Sequence, residues 1–458
     1  MNCKIFFEKA LLGLSIFAIS FFASCGSTKV VETVQAEQVE DFTRRQLSNG
    51  IPVVFKQNRG SKIVVFKLVF EGGTSAIDKS IGGIENLTLD LALRGTETYS
   101  YKTISQLQYE KSFSFISSSE KDYATAGFIC IQRDMAEVLK IFSDCLLNPL
   151  FAESDYDQKM AEIAASIASK KADPSGALSL ALTKAAFEDH PYLATSYVTD
   201  ESYSNINLTL VKGIHQGLLN ALRIKIVVVG NFTKELMDDF MDSLEKDYGS
   251  LSRKVFSLPK IPKISVGAGA AIRVANEQAG NTGYIAGFFE CPSRDSADYI
   301  PFAIATMYVD ELFFSQVREK AGAVYSINTG VIGGKELVGV IAAYKATEKK
   351  QMKKLILDAI SSFDANHLAK YLEQYKNKYI TSIFNSAQTA SGISNSVVTS
   401  MEYFGSESAY LSRAEQVQSV ETLQVIEAYK KYIAPIAKEN AASWVIVDGE
   451  ENLSEYDF

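Results

Sequence analysis

The sequence predicts an α+β fold built from two similar halves. Strand-like and helical segments of the first half return in the same order about 200 residues later, which indicates an internal repeat. Each half also ends in an apolar strand followed by glycine, Ile224–Gly230 in the first half and Trp444–Gly449 in the second. A chain of 458 residues is too long for one hydrophobic core. We therefore expect two packed units, joined by the Pro- and Lys-bearing stretch Leu258–Ser265.

Runs of β-branched and aromatic residues predict the strands, and apolar residues at helical spacing predict the helices. In the first half the predicted segments are strands Ile51–Phe55 and Lys62–Phe70, a helix over 82–94, strands Ser112–Ser118 and Tyr123–Cys130, helices Asp134–Leu147 and Tyr156–Lys171, strand Ile224–Val229, and a helix capped by Thr233 that runs to Tyr248. In the second half they are strands Ala271–Ala275 and Tyr284–Cys291, a helix from Ala297 to Lys320, strands Val324–Gly330 and Leu337–Tyr344, several helices from Glu348 to Ile433, and strand Trp444–Val447.

The N-terminus has the pattern of an export signal. Lys4 and Lys9 precede an apolar run that ends at Ser24-Cys25 and is short for a membrane span. Small residues before Cys25 resemble the bacterial lipobox, in which this cysteine is lipidated, although Phe22 stands where Leu is usual. We expect a lipid-anchored protein of the bacterial cell envelope, on the outer membrane and facing the periplasm, with ordinary cleaved export or a retained anchor as alternatives. The predicted segments are a signal peptide (1–24), a tether (25–40), an N-terminal half (41–250), a linker (251–269) and a C-terminal half (270–458).

Charge and cysteine content exclude some classes of protein. Removing residues 1–24 takes away two Lys and one Glu, which moves the net charge from −8 to −9. An acidic chain without a basic cluster argues against binding to nucleic acid or to acidic lipid. Cys130, Cys145 and Cys291 remain in apolar stretches without a Cys-x-x-Cys pair. They predict buried free thiols, with a Cys130–Cys145 disulfide as the alternative.

The stretch from Gly82-Gly83 to Gly95-Thr96 carries the main functional signal. It resembles the active-site helix of the pitrilysin/insulinase zinc peptidases, which reads Gly-x-x-His-x-x-Glu-His and closes with Gly-Thr. On this alignment Asn86 and Asp90 stand at the two His-ligand positions, and Leu89 stands at the position of the general base. An amide and a single carboxylate are poor zinc ligands, and leucine takes no proton from water. The resemblance implies a peptidase scaffold that has lost its metal site.

The third zinc ligand of that family is a Glu about eight residues before an Asp-Pro pair. Here the pair is Asp173-Pro174, and the count leads to Ser166. Glu162 lies one helical turn away and would be recovered by a slip of four residues. A metalloenzyme that uses Asp90 and Glu162 therefore stays open as an alternative. The structural interpretation is that Asp90 forms an i, i+4 ion pair with Arg94 on a helix with an apolar stripe.

Other segments carry the same resemblance over roughly residues 42–450. They are Leu47–Gly50, Asn148–Phe151, His190–Tyr192 and Val317–Ser326. The resemblance implies two halves, each a mostly antiparallel sheet covered by helices, that face each other as a clamshell. We interpret His190 as a structural turn residue.

In two-chain members of the family, one subunit carries the zinc helix and the other supplies an Arg and a Tyr that reach the substrate. Arg318 and Tyr325 match this pair within Arg-Glu-Lys-x-Gly-x-x-Tyr-Ser. A permanent cation and a phenol can both hold a peptide carbonyl oxygen. The Gly-rich loop that often precedes this helix in the family is replaced by Tyr308–Glu311. The alternative is that Arg318 forms an interdomain salt bridge and Tyr325 belongs to the core.

The resemblance thus implies a zinc-free subunit with no catalytic residue and no cofactor of its own. It would pair with a homologous zinc-bearing subunit and help to bind unfolded peptides, which would lie extended along a sheet edge. Two further hypotheses remain. One is a structural or assembly protein, and the other is a lipoprotein that binds peptides without cleaving them.

Overall fold

The computed structural model describes residues 41–267 and 269–449, so the predicted signal peptide and the whole predicted tether with Cys25 lie outside the described residues. The strands are β1 (Phe42–Gln46), β2 (Pro52–Gln57), β3 (Ile63–Glu71), β4 (Ser114–Ser119), β5 (Tyr123–Ile131), β6 (Ile224–Gly230), β7 (Ala271–Ala275), β8 (Gly283–Glu290), β9 (Val324–Gly333), β10 (Leu337–Ala346) and β11 (Ala442–Asp448). The helices are α1 (Ile84–Ala92), α2 (Tyr101–Lys111), α3 (Met135–Leu147), α4 (Glu153–Ala172), α5 (Pro174–Ala186), α6 (Asp200–Tyr203), α7 (Leu208–Leu218), α8 (Lys234–Tyr248), α9 (Tyr299–Leu312), α10 (Met352–Ser361), α11 (Ala365–Ser386), α12 (Ala390–Phe404), α13 (Arg413–Gln418), α14 (Thr422–Ala428) and α15 (Ala434–Lys438).

The strands form two sheets of the same design. The first has the order β1-β2-β6-β3-β5-β4 and the second the order β7-β11-β8-β10-β9. Neighbouring strands are antiparallel except for one parallel pair in each sheet, β2 with β6 and β7 with β11. In both sheets the last strand of the half inserts beside the first strands of that half, which buries it on both sides. The α+β fold of two similar halves is therefore confirmed.

One face of each sheet packs against helices of its own half. In the first sheet Phe66 and Phe128 each contact Phe142 of α3, with ring centroids 5.7 Å apart in both pairs. In the second sheet Phe289 contacts Phe302 of α9 at 6.4 Å. These aromatic contacts lie in the two largest apolar clusters of the described residues. Burial of such large side chains stabilises each half.

The opposite faces are covered by helices that the halves exchange. α12 of the C-terminal half packs on the first sheet, where Val397 and Val227 belong to one apolar cluster. α5 of the N-terminal half packs on the second sheet, where Leu178 and Val445 belong to another. Each half thus supplies the cover for one apolar face of the other half, so the two halves stabilise each other.

Lys67 on β3 makes the packing of α12 on the first sheet sensitive to pH. Its side chain is almost fully buried, and its Nζ donates to Asn395 Oδ1 of α12 at 2.5 Å. Burial lowers the pKa of Lys67 from 10.5 to about 8. Between these values the unfolded chain binds more protons than the folded chain, so Lys67 adds stability as the pH rises from 8 to 10.5.

We expect urea unfolding to show this effect as a difference between wild type and Lys67→Met. Relative to the variant, wild type should gain about 2–3 kcal/mol of unfolding free energy between pH 7.5 and pH 10.5. Lys62→Met removes an exposed lysine just before the same strand, and its pH profile should follow that of wild type. Parallel profiles for wild type and Lys67→Met would contradict the prediction.

The three cysteines of the described residues are free thiols. Cys130 and Cys145 are buried and Cys291 is half-buried. Burial raises the pKa of each of these thiols to about 12, which keeps them protonated and unreactive at neutral pH. The structure therefore has the predicted free thiols and not the alternative Cys130–Cys145 disulfide.

Across residues 41–267 and 269–449, none of the helices combines the length and apolar content needed to cross a membrane.

Candidate functional site

Helix α1 is held by close packing at its N-terminus. Gly83 adopts a left-handed conformation with φ of 87°, and a side chain at this position would collide with the backbone of Tyr197 and Val198. The helix therefore starts at Ile84, after the glycine pair, and is shorter than the predicted span of 82–94. Its apolar stripe is buried as expected, and Leu89 is fully enclosed in the core of the first half. The degenerate metal-site positions thus lie on a fixed element.

Four charged side chains join α1 to α4 and the residues around them. Lys159 Nζ lies 2.5 Å from Asp90 Oδ2 and 3.8 Å from Glu162 Oε2. Arg94 Nη2 lies 3.5 Å from the same Glu162 oxygen. The expected Asp90–Arg94 pair is therefore wrong, because Arg94 follows the end of α1 and points to Glu162 while Asp90 is neutralised by a lysine of α4. We call these four residues the α1–α4 ion network.

The α1–α4 ion network does not fit a zinc ion. An ammonium group lies between the two carboxylates, where it neutralises the charge that would attract a cation. Asn86 Oδ1 is buried without a hydrogen-bond partner among the described residues, and one amide oxygen cannot replace an imidazole ligand. Ser166 is exposed one turn beyond Glu162 on α4. Within the described ranges no group of three or more His, Cys, Asp or Glu side chains is placed to hold a metal.

The purified chain is expected to retain no stoichiometric zinc after dialysis against micromolar zinc, since the donor set lacks imidazole and contains a cation. Elemental analysis by mass spectrometry measures the zinc-to-protein ratio. A ratio near one that falls in Asp90→Ala and Glu162→Ala would contradict the prediction and would support the alternative metalloenzyme. The matched control is Asp239→Ala on exposed α8, which should change nothing.

The ring nitrogens of the three histidines contact groups outside α1 and α4. Their ring nitrogens contact the following groups: His190 Nδ1 accepts from Tyr192 N–H at 3.1 Å, His190 Nε2 lies 3.0 Å from Pro262 O, His215 Nε2 lies 2.7 Å from Leu146 O, and His367 Nε2 lies 3.2 Å from Glu311 Oε1. His190 therefore closes a turn, as expected.

Sequence reasoning missed the buried ion pair beside the degenerate site. Glu85 Oε1 accepts from Arg223 Nη2 at 3.1 Å, and Glu85 Oε2 accepts from Ser119 Oγ at 2.5 Å. Burial is the largest effect on Glu85 and raises the pKa of its carboxyl group, while the contacts with Ser119 and Arg223 act in the opposite direction. Through Ser119 and Arg223, Glu85 fixes the start of α1 to β4 and to the residue that precedes β6. No spacing rule connects residues that lie 138 positions apart.

Arg318 and Tyr325 lie side by side on the surface of the C-terminal half. The Arg318 guanidinium carbon is 6.0 Å from the centroid of the Tyr325 ring and 5.4 Å from that of Phe314. The side chain of Arg318 is 44% exposed, and Tyr325 is 70% exposed. Lys345 Nζ lies 5.9 Å from the centroid of the Tyr325 ring. We call Phe314, Arg318 and Tyr325 the Arg–Tyr surface.

The backbone between Arg318 and Tyr325 explains why they meet. The predicted helix over 297–320 is divided into α9 and a π-helical stretch, Phe313–Lys320, which carries Arg318. Gly322 then adopts a left-handed conformation with φ of 59°, and its N–H donates to Arg318 O at 3.1 Å. This turn directs the chain into β9, where Tyr325 is the second residue. Short π-helical stretches occur frequently at functional sites.

The segment that replaces the Gly-rich loop supports the strand that carries Tyr325. Asp310 Oδ1 accepts from Thr329 N–H of β9 at 2.6 Å. Burial raises the pKa of Asp310 to about 6. Tyr308–Glu311 lies within α9. Its Asp310 holds the edge strand β9 through this hydrogen bond. Arg318 and Tyr325 line neither the cavity between α4 and α5 nor the smaller cavity between α5, β9 and β10.

Strand β4 forms the edge of the first sheet next to α1. Glu120 N–H donates to Tyr123 O at 2.7 Å, which sets the alternation of hydrogen bonds along the β4–β5 pair. The backbone groups of Phe115, Ser117 and Ser119 consequently point away from β5. Within the described part of the chain these groups have no other backbone partner. Ser119 is buried, so the part of the edge that can accept a further strand lies around Phe115 and Ser117.

Two family models match the sequence of this chain. Residues 52–200 match the family model described as insulinase (peptidase family M16), and residues 205–379 match the model described as peptidase M16 inactive domain. Together the two matches cover more than half of the chain. No curated protein sequence matches the chain.

Solved structures show the same fold at low sequence identity. A peptidase M16 inactive domain from Pseudomonas fluorescens has a TM-score of 0.77 at 19% identity, with 90% of this chain and 98% of that chain covered. A protease from Helicobacter pylori has a TM-score of 0.76 at 13% identity, with 89% and 99% covered. The periplasmic protease PqqL from Escherichia coli has a TM-score of 0.74 at 12% identity, and the match covers 90% of this chain but only 46% of PqqL. The chain therefore belongs to the insulinase family, peptidase family M16, as a member without the His-x-x-Glu-His motif in helix α1.

Proposed function

We propose that this chain is a non-catalytic subunit that pairs with a zinc-bearing homologue and offers Arg318 and Tyr325 to a peptide bound at the partner's metal. The observation that carries the proposal is the exposure of these two side chains beside each other. At the position of the family's zinc helix, α1 of this chain takes part in the α1–α4 ion network.

Arg318 and Tyr325 on the Arg–Tyr surface have hydrogen-bond donors that are available to a ligand. The Tyr325 hydroxyl has no hydrogen-bond partner among the described residues, and the ion pair of Arg318 with Glu319 is long, at 3.9 Å, and exposed. Such a pair holds the guanidinium weakly. Arg and Tyr are also among the residues that contribute most to protein interfaces. In a complex, the guanidinium and the phenol would donate to the peptide carbonyl oxygen and to the negative charge that develops on it.

We also propose that the edge strand β4 of the first sheet binds a peptide as an additional strand. A peptide that pairs with the outward backbone groups of β4 would be held mainly by main-chain hydrogen bonds. This mode of binding tolerates many sequences, which suits a subunit that handles unfolded peptides. The first sheet of the zinc-bearing homologue would offer an equivalent edge, since both chains share the fold.

We propose in addition that Cys25 carries a lipid and attaches the protein to the bacterial outer membrane, facing the periplasm. This part of the proposal is supported by the sequence pattern of residues 1–25. Labelling cells with radioactive palmitate and comparing wild type with Cys25→Ser tests it, because only the wild type should incorporate label.

Co-expression with a family member that contains His-x-x-Glu-His tests the pairing. Size-exclusion chromatography should show a complex, and the complex should cleave quenched fluorescent casein while this chain alone does not. A stable complex without any gain in cleavage over the zinc-bearing chain would favour the structural or assembly role. The absence of a complex with every such homologue of the same genome would contradict the proposal.

A further inference from the structure

A cavity of about 780 Å³ lies between α4, α5 and the segment over 193–205. Its apolar wall is formed by Ile163, Ile167, Leu180, Leu193, Val198 and Val274. Val274 belongs to β7, so both halves of the protein contribute to the wall. Ser166, at the degenerate third-ligand position, also lines the cavity. A volume of this size is in the range of small-ligand and peptide side-chain sites.

The rim of the cavity is positively charged, although the chain has a net charge of −8. Its charged residues are Lys79, Lys170, Lys171, Lys184, Asp200 and Glu201. Two of the lysines are paired: Lys171 Nζ lies 2.6 Å from Asp200 Oδ2, and Lys184 Nζ lies 3.7 Å from Glu201 Oε1. Lys170 has no carboxylate partner among the described residues. The rim therefore has an excess of positive charge that favours an anion.

Lys170 packs against an aromatic ring at the rim of the cavity. Its Nζ lies 3.4 Å from the centroid of the Tyr197 ring, which attracts the ammonium group but accepts none of its N–H groups in a conventional hydrogen bond. Burial lowers the pKa of Lys170, which shows that its charge is partly removed from water. A carboxylate that enters the cavity would restore the lost stabilisation of this charge.

Two classes of ligand combine an apolar body with a carboxylate, a fatty acid and an acidic peptide. Most hydroxyl groups around the cavity already have partners in the protein: Ser80 donates to Asp78 Oδ1, Thr183 to Ser179 O and Thr195 to Tyr197 O, and Thr199 contacts Ser202 Oγ. The Ser166 hydroxyl lines the cavity without a hydrogen-bond partner among the described residues. An alkyl chain would remove this hydroxyl from water without replacing its hydrogen bonds, whereas a peptide backbone offers it both a donor and an acceptor. The lining therefore favours a peptide.

We propose that this cavity binds a peptide segment in which an apolar side chain, seated against the α4–α5 wall, lies next to an Asp or Glu whose carboxylate pairs with Lys170. The inference rests on the proposed function only in taking a peptide as the ligand. The site belongs to this chain alone and lies apart from Arg318 and Tyr325, neither of which lines it.

Fluorescence anisotropy with the full chain tests the site. The probes are a fluorescein-labelled peptide, Gly-Leu-Glu-Leu-Gly, and its twin with Gln in place of Glu. We expect the Glu peptide to bind at least about tenfold more tightly than the Gln peptide, as for a hydrogen bond to a charged group in a partly buried site. Lys170→Gln should remove this difference, and Ser166→Trp should weaken both peptides by filling the cavity from an exposed helix position.

Lys246→Gln, on the exposed face of α8, is the matched control for charge and should bind like wild type. The assay uses this chain alone, so a failure of the proposed pairing leaves its result unchanged. Equal binding of the two peptides, unchanged selectivity in Lys170→Gln, or no binding up to millimolar peptide would overturn the proposal. Displacement of the peptide by dodecanoate at concentrations below the Kd of the peptide would also overturn it and would identify a lipid site.

Discussion

Replacing Arg223 with methionine is expected to lower the free energy of unfolding by about 3–5 kcal/mol, which is the usual effect of removing one partner from a buried ion pair. The side chains of Arg223 and Glu85 are only 8% and 1% exposed. Arg223 also donates from Nε to Glu71 O at 2.7 Å. In Arg223→Met the Glu85 carboxylate keeps its bond from Ser119 but loses its counter-charge in the core.

The pH dependence of this loss has a definite sign. Burial already holds the pKa of Glu85 above its usual value of 4.5, and removal of Arg223 raises it further. For an acid with a raised folded-state pKa, the folded state is favoured by protonation, so stability falls as the pH rises through the window above 4.5. The loss of unfolding free energy in Arg223→Met should therefore be largest at neutral pH and smaller near pH 4.

Urea unfolding of a double-mutant cycle measures the pair directly. Arg223→Met and Glu85→Leu should each be strongly destabilising, whereas the double variant should recover much of the loss because no unpaired charge remains. The control is Arg133→Met, which removes an exposed arginine 3.2 Å from Asp134 and should change stability by less than about 1 kcal/mol. A loss in Arg223→Met as small as in this control would refute the prediction.

The order and type of most elements followed from local patterns in the sequence. The strand predicted at Ile224–Val229 is observed as Ile224–Gly230, and the helix predicted at Asp134–Leu147 starts one residue later. Strand β1 and helices α2, α5, α6 and α7 were not predicted. β1 alternates weakly because it is an exposed edge strand, and α5 is rich in alanine, so its apolar face is indistinct. Periodicity shows which face of a helix is apolar, but not which sheet it covers, and the exchange of α5 and α12 was therefore missed.

Local sequence patterns also failed to show which elements pack together at the degenerate metal site. Alignment of Gly95-Thr96 placed Asn86, Leu89 and Asp90 on α1, and all three lie on that helix in the structure. The partner of Asp90 was mistaken, because an i, i+4 rule applies to one helix and the nearest cation lies on another, Lys159. The α1–α4 ion network joins the two helices through charged side chains. A lysine between the carboxylates compensates their charge, so the two helices stay together without an ion.

Arg318→Ala in the complex with the zinc-bearing homologue is expected to lower kcat by about 10²–10³-fold, the effect of removing one donor to the developing oxyanion. The physical reason is that the exposed guanidinium would donate to charge that appears only in the transition state, so KM should change much less than kcat. Tyr325→Phe, which keeps the ring beside Arg318 and removes only the hydroxyl, should have a smaller effect in the same direction.

Lys320→Ala is the matched control, because Lys320 is an exposed cation on the same π-helical stretch, two positions after Arg318. It should leave cleavage of quenched casein unchanged. Each variant must first be shown by size-exclusion chromatography to form the complex. If Arg318→Ala dissociates the complex, Arg318 acts in the interface. If the complex stays intact with full turnover, the Arg–Tyr surface has no part in hydrolysis, and the substrate role proposed for it is wrong.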